Sequence, residues 1–263
     1  MNIIVCIKQV PSTNEVNLDP VTKTIIRDGK QSVTNPFDTF ALEQAVQLKE
    51  QYGGRVSVLS MGIPAVERLL RDAVSRGADG GVLISGREFA GADTLATSYA
   101  LSLGVAQTDD FDLILCGKMA IDGDTAQIGP ELAEQLGIAQ LTAVCDLPEI
   151  KGVYIEALID CDSEQRLMQA SLPALLTVGR TPYELRFASI GGVIEANRND
   201  TIKTLTKDML PEIDAAMIGL DGSPTRTADT FVPERSSGAK FIEGGTTEEA
   251  AETLAAMLRR GTV

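Results

Sequence analysis

From residue 2 to about residue 145, short β-branched apolar runs alternate with longer stretches of helical periodicity. That is the pattern of a parallel sheet covered by helices on both faces. The runs Ile3 to Ile7, Arg55 to Ser60, Gly81 to Ile84 and Leu113 to Gly117 read as strands. Between the first two, Asn35 is placed to cap a helix whose first residue is Pro36, and Ala41, Leu42, Ala45, Val46 and Leu48 recur on one face. Further helices fit Pro64 to Ser75, Asp93 to Leu103 and Pro130 to Leu136, ending near Gly77, Gly104 and Gly137. From Leu141 to Val178 the runs shorten, and Val153 to Leu158 and Ala174 to Val178 are expected to extend the sheet with antiparallel strands. The fold class is α/β, with a doubly wound, mainly parallel sheet.

After Val178 the pattern changes. TPYELRFASIGGVIEANRND is mixed and glycine-containing, and Pro211 to Gly245 is rich in Asp, Ser, Thr, Pro and Gly, so no separate core is expected there. Thr246 to Arg260 then puts Ala250, Leu254, Ala255 and Leu258 on one helical face. The expected organisation is an α/β domain over residues 1–180, a segment 181–200, and an extended C-terminal arm over 201–263 that needs another surface to lie on.

Composition narrows the function. A chain of 263 residues that is 44% hydrophobic can bury a full core. Its net charge of -14 offers no basic face for nucleic acid or anionic membranes. Nowhere do about 18 uncharged apolar residues follow one another, so a cytoplasmic protein without membrane insertion is expected. The chain has no histidine, which removes the commonest general base and the commonest zinc ligand. Cys6, Cys116, Cys145 and Cys161 are widely spaced and read as reduced core residues.

The stretch CGKMAIDGDTAQIGPELAEQLG, residues 116–137, leaves a buried strand, turns through aspartates and small residues, and enters a helix. Open α/β sheets bind ligands at such places, beyond the carboxyl ends of their strands. The N–H groups around Gly123, Thr125, Ala126 and Gln127, with the Thr125 hydroxyl, can hold a phosphate, and Asp122 and Asp124 can accept from ribose hydroxyls. The same residues also serve simply as caps and turn formers, and neither GxxxxGK[ST] nor GxGxxG occurs. A second candidate is GADTLATS, where Asp93 can cap a helix and Thr94 and Thr97 share a face; on these residues alone a capped surface helix with ordinary threonines is the stronger explanation. Lys8, Arg71, Arg186 and Arg198 are isolated cations, of which Arg186 stands out as a possible flavin or partner contact.

At these residues the chain resembles the beta subunit of electron-transfer flavoproteins, a group that includes the smaller Fix flavoprotein subunit of nitrogen-fixing bacteria. The resemblance runs through IIVCIKQVPST, IRDGKQSVTNPFDTFALEQAVQLKE, RGAD, LILCGKMAIDGDTAQIGPELAEQLG, LPALLTV and LRFASIGGVIEA, in order over roughly residues 1 to 200. It implies an adenine-nucleotide hydrolase-like domain that hydrolyses nothing and is paired with a larger, FAD-carrying alpha subunit. Carried over by motif, the nucleotide contacts are Cys6, Asn35, Pro36, Phe37, Asp38, Met61, Cys116, Gly117, Lys118, Met119, Ala120, Ile121, Asp122, Gly123, Asp124, Thr125, Ala126 and Gln127.

Simple members hold a structural AMP; electron-bifurcating members hold a second FAD beside an NADH site. GADTLATS and the small residues of AIDGDTAQ resemble the bifurcating group, in which Asp93, Thr94 and Thr97 lie near that flavin and the nicotinamide. The implied partners are the alpha subunit, ferredoxin or flavodoxin, and a flavin dehydrogenase acting on acyl-CoA or 2-hydroxy acids. The family's basic client-recognition segment is replaced here by residues 192–200, with Glu195 and Asp200. A simple AMP-containing carrier and a nucleotide-binding stress or regulatory protein are the competing readings.

Overall fold

The computed structural model describes residues 1–12, 32–108, 110–183, 185–198, 200–211, 213–228, 242 and 245–259. The stretch IRDGKQ and residues 229–241 of the polar run lie outside them. The described chain forms two units, residues 1–228 and 229–263.

The first unit is built in the order β1 (Asn2–Cys6), β2 (Gln9–Pro11), β3 (Ser32–Thr34), α1 (Pro36–Tyr52), β4 (Arg55–Met61), α2 (Glu67–Ser75), β5 (Gly80–Ile84), α3 (Thr94–Val105), β6 (Leu113–Gly117) and α4 (Ile128–Leu136). There follow β7 (Ala139–Val144), β8 (Glu149–Lys151), β9 (Tyr154–Cys161), β10 (Glu164–Ser171), β11 (Ala174–Val178), α5 (Ile190–Ala196) and β12 (Ile202–Leu205). The sheet runs β10-β9-β7-β11-β6-β1-β4-β5-β12, with β8 beside β9, while β2 and β3 form a separate ribbon. Strands β7, β11, β6, β1, β4, β5 and β12 are mutually parallel, and β9, β10 and β8 are antiparallel.

The central strands are apolar without alternation because both faces are covered. Ile3, Val5, Val56, Val58, Leu113 and Leu115 pack with α1 and α2 on one side. Ile4, Cys6, Leu59, Ile84, Ile114 and Cys116 pack with α3 and α4 on the other. This is a doubly wound sheet.

Several elements differ from the sequence pattern. Ala174 to Val178 is no antiparallel extension: β11 lies between β6 and β7, parallel to both, and all five residues are buried, as a two-sided central strand requires. The expected helix from Pro64 opens as a 3-10 turn, Pro64–Val66, before α2. Gly104 does not end α3, which runs on to Val105; a Cβ there would meet Ile84 Cδ1 at 2.7 Å and Leu59 Cδ1 at 3.0 Å, so the glycine permits close helix–sheet packing. Gly137, by contrast, does end α4, in the left-handed conformation. Cys145 and Cys161, expected in the core, are only half-buried.

Residues 202–228, placed by their composition in the arm, belong to the first unit. β12 pairs in register with β5, and the chain then returns to α3, where Asp93 N–H donates to Ser223 Oγ (2.8 Å) and Thr225 N–H to Asp93 Oδ2 (3.0 Å). In the second unit Thr247–Arg259 is helical, in line with its periodicity, and is called α6. It opens with a capping box: Glu249 N–H donates to Thr246 Oγ1 (3.3 Å) and Thr246 N–H to Glu249 Oε2 (2.8 Å). No described helix is long and apolar enough to cross a membrane.

Candidate functional site

The chain moves from β1 outward through β4 to β5, then crosses back to β6 on the other flank of β1. The carboxyl ends of β1 and β6 therefore splay their following segments apart, which is the switch point where such sheets bind ligands. Cys6 and Cys116 are register partners at these ends. The Cys116 thiol is pushed well up by its hydrogen bond with Cys6, by burial and by Asp38, so it stays protonated. Met61 closes β4 alongside.

Helix α1 begins under this edge, and its first residues brace it. Asn35, expected as a cap, makes no side-chain cap; at 1% exposure it is drawn into tertiary bonds instead. Its Nδ2 donates to Asp38 Oδ1 (2.9 Å) and to the Met119 carbonyl (2.9 Å), while its Oδ1 accepts from Ile121 N–H (3.2 Å). Asp38 is buried as well, its carboxylate accepting from the N–H groups of Lys8 (2.7 Å) and Gly117 (3.1 Å). Burial pushes the Asp38 carboxyl up to about 7, against the downward pull of the Asn35, Lys8 and Gly117 donors and the Lys8 charge. Pro36 and Phe37 form the first turn of α1 between these two residues.

Above the brace, Lys118 N–H donates to the Val178 carbonyl (2.7 Å), and Gly123 and Asp124 turn back onto the Ala120 carbonyl. Lys8 Nζ reaches over to Asp122 (2.7 Å), so one of the two aspartates already holds a cation. Asp124 and Ala126 have φ of 49° and 54°, left-handed values that side-chain-bearing residues adopt at a cost of about 1–2 kcal/mol. Gln127 then returns to the right-handed region. A left-handed residue followed by a right-handed one, as at Ala126 and Gln127, is the backbone succession of an anion-binding nest. The N–H groups of Thr125, Ala126 and Gln127 meet no acceptor among the described residues, and residues 121–127 are exposed. Donor groups, a helix start and a free hydroxyl on Thr125 make a place for an anionic ligand.

Beside it stands the start of α3. Asp93 caps this helix as expected, accepting from Ala96 N–H (3.1 Å); against the push of burial, the Thr225 and Ala96 N–H donors hold its carboxyl low. Thr94 Oγ1 faces α4, 3.0 Å from Glu131 Oε1 and 3.4 Å from Gln127 Oε1, and Thr97 lies one turn further along. Glu131 has no place among the sequence candidates. Its Oε2 is buried without a partner among the described residues, and burial pushes its carboxyl up. Its position in the first turn of α4 is the only sequence signal for it.

Every residue carried over as a nucleotide contact, with Asp93, Thr94 and Thr97, lies on the carboxyl edge of β1, β4 and β6 or at the starts of α1, α3 and α4. Arg186 does not. It forks onto Glu43 (2.9 Å to each oxygen) and Glu50 on α1, away from the nest. No cluster of potential metal ligands occurs among the described residues.

The matched family model is the electron transfer flavoprotein domain, over residues 22–209. The electron transfer flavoprotein subunit beta of Thermoanaerobacterium thermosaccharolyticum is 44% identical over 94% of each chain. The chain belongs to the electron transfer flavoprotein beta subunit/FixA family. Protein FixA of Azorhizobium caulinodans is 39% identical over 99% of this chain and 95% of its own. The caffeyl-CoA reductase-Etf complex subunit CarD of Acetobacterium woodii is 38% identical over 98% of each.

Proposed function

We infer that this chain pairs with an electron-transfer flavoprotein alpha subunit in the cytoplasm, binds FAD over residues 118–127, and takes part in NADH-dependent electron bifurcation. The observation that carries the reading is the juxtaposition of two helix starts. The nest at residues 124–127 suits the phosphates of any adenine nucleotide, and the Asp93–Thr94–Glu131 cluster, which adjoins it through Thr94 and Gln127, offers further polar groups to a ligand larger than AMP. In this reading the Thr125 hydroxyl and the free N–H groups of Thr125, Ala126 and Gln127 hold phosphate oxygens. Asp124, which pairs with no cation among the described residues whereas Asp122 holds Lys8, accepts from a ribose hydroxyl. Cys6, Met61, Phe37 and Ile121 supply apolar contact, and Thr97 flanks the nicotinamide. When bound, the flavin supplies acceptance of an electron pair and its release one electron at a time.

Ferredoxin or flavodoxin and a flavin dehydrogenase are the expected acceptors. The dehydrogenase docks on segment 181–200, where Phe187 (91% exposed), Ile190 (85%) and Ile194 (63%) present apolar side chains to solvent. The name of the CarD relative favours an acyl-CoA type of client; the acidic residues of the segment favour a client different from those that read a basic one. The second unit, with Leu254 and Leu258 exposed on α6, lies on the alpha subunit.

The test is to purify the heterodimer, extract its nucleotides and count them. Two FAD per heterodimer are expected. One FAD and one AMP would make this a simple carrier. Failure of any larger flavin subunit to co-purify would return the chain to the regulatory nucleotide-binding class.

A further inference from the structure

Asp38 joins three parts of the fold with one carboxyl group. Oδ2 takes the Lys8 N–H at the end of β1; Oδ1 takes the Gly117 N–H at the end of β6 and Asn35 Nδ2 just before α1. Asn35 passes the connection on, through Met119 and Ile121, into the exposed loop. We propose that Asp38 is a proton-linked positioning residue, whose carboxylate, acting through the Asn35 amide, holds the loop of residues 118–127 in order. That the loop is a nucleotide site is the reading given above, on which the binding arm of the test rests.

The linkage follows from donor and acceptor counting. An ionised carboxylate only accepts, and its three neighbours only donate. A proton on Oδ2 faces the Lys8 N–H; a proton on Oδ1 faces the Gly117 N–H and the Asn35 NH2. The Asn35 amide is the one group able to turn its oxygen to the acid. Turning it places NH2 against the Ile121 N–H and oxygen against the Met119 carbonyl, so both bonds to the loop are lost. Burial, which brings the carboxyl up to about 7, puts this event in the physiological range. The charged and titratable groups facing Asp38 are Lys8, whose ammonium is engaged by Asp122, and Cys116, held as a thiol against Cys6. With no histidine in the chain, no imidazole changes charge in the same interval.

The experiment uses the heterodimer with its alpha subunit, freed of exchangeable nucleotide, at pH 8 and pH 6. Amide hydrogen exchange over residues 117–127, corrected for intrinsic rates, reads the order of the loop, and calorimetric titration with FAD reads binding. FAD suits the purpose because its pyrophosphate keeps its charge in this range. If only the ionised form holds the loop, its population falls about tenfold between the two pH values, and FAD affinity falls by the same factor. Asp38→Asn, with one oxygen for three donors, is expected to give a poorly protected loop at both pH values. Asn35→Ala keeps the carboxylate but cuts the relay, and should leave loop protection low and independent of pH. Wild-type protection that does not change with pH, or the same change persisting in Asp38→Asn, overturns the proposal. A pH-dependent loop that takes neither FAD nor AMP upholds the linkage and removes the nucleotide reading alone.

Discussion

Replacing Gly117 by alanine adds one carbon at the most crowded point of the switch. An added Cβ would stand 2.2 Å from Asp38 Oδ1, 2.8 Å from Asp38 N and 2.8 Å from the Phe37 carbonyl carbon. The last two are backbone atoms of the first turn of α1, so relief requires the helix start itself to move. Overpacking of this kind costs roughly 1–3 kcal/mol. Displacing Asp38 Oδ1 also weakens its bonds from Gly117 N–H and Asn35, and hydrogen bonds to a charged group contribute about 1.5–3 kcal/mol each. The two effects share the same displaced atoms, so a total of about 3 kcal/mol is expected rather than their sum. Gly123 is the control, since a Cβ there meets nothing within 4 Å and alanine should change stability by less than about 0.5 kcal/mol. Urea unfolding of the heterodimer gives both numbers, and nucleotide retention through gel filtration reports on the loop. Gly117→Ala with the stability and nucleotide content of Gly123→Ala would refute the reasoning.

Four other outcomes follow from the same geometry. Because the Asp38 carboxyl binds its proton more tightly folded than unfolded, its ionisation destabilises the fold as pH rises from its ordinary 3.8 to about 7, by on the order of 4 kcal/mol in full. Urea midpoints between pH 5 and 7 should therefore rise relative to wild type in Asp38→Asn as pH increases; parallel curves would count against it. Arg186→Ala leaves Glu43, 5% exposed, without its fork and should cost about 3 kcal/mol, with Arg186→Lys a poor rescue; thermal melts decide this. Asp124→Ala with Thr125→Ala should remove the beta-site nucleotide but not the FAD of the alpha subunit, at about 1.5–3 kcal/mol per lost bond, so that two FAD per heterodimer in the double variant would sink the assignment. Glu195, paired with Arg198 at 3.2 Å, still adds negative charge to the docking segment, and Glu195→Lys should slow electron exchange with the native dehydrogenase in stopped-flow at low salt, the difference shrinking at moderate salt.

The sheet was legible because strands covered on both faces need no alternation: NIIVC, LILCG and ALLTV announce themselves as apolar runs. Their order was not. β11 reaches the centre of the sheet only by pairing with β6, 61 residues earlier in the Ala174–Leu113 register, and nothing local encodes that. β12, IKTL, has buried residues only at its ends and too few of them to stand out from the polar stretch around it. The site was legible as a loop and as a set of residue types. Its bracing was not, because apart from their bond to each other Asp38 has its partners 30 and 79 residues away and Asn35 has its partners 84 and 86 away. Propensity made Asn35 a cap; tertiary donors and acceptors made it a relay.

Helix α1 links the candidate site to the segment around Phe187. Its start holds the brace, and two later residues on one face, Glu43 and Glu50, grip Arg186, the residue directly before exposed Phe187. At 1.5 Å per residue, Asp38 and Glu43 are separated by about 7.5 Å along the axis of one continuous helix. Helix α2 fixes the other side of the segment: Arg76 Nη1 donates to the Arg186 carbonyl (3.0 Å), Arg71 to the carbonyls of Ala196 and Arg198, and Ser189 N–H to the Ser75 carbonyl (3.1 Å). Gly192 permits this approach, since a Cβ there would lie 2.2 Å from the Ser75 oxygen. The exposed apolar residues are therefore presented from a frame bonded to both helices, and not from a free loop. Electron transfer depends on distance and orientation, and in the proposed function a frame of this kind fixes both between the loop of residues 118–127 and a partner seated on Phe187 and Ile190. If the proposed docking holds, a change at Arg186 or Gly192 should alter transfer by displacing the partner, since neither residue lies at the nucleotide loop of the proposed function.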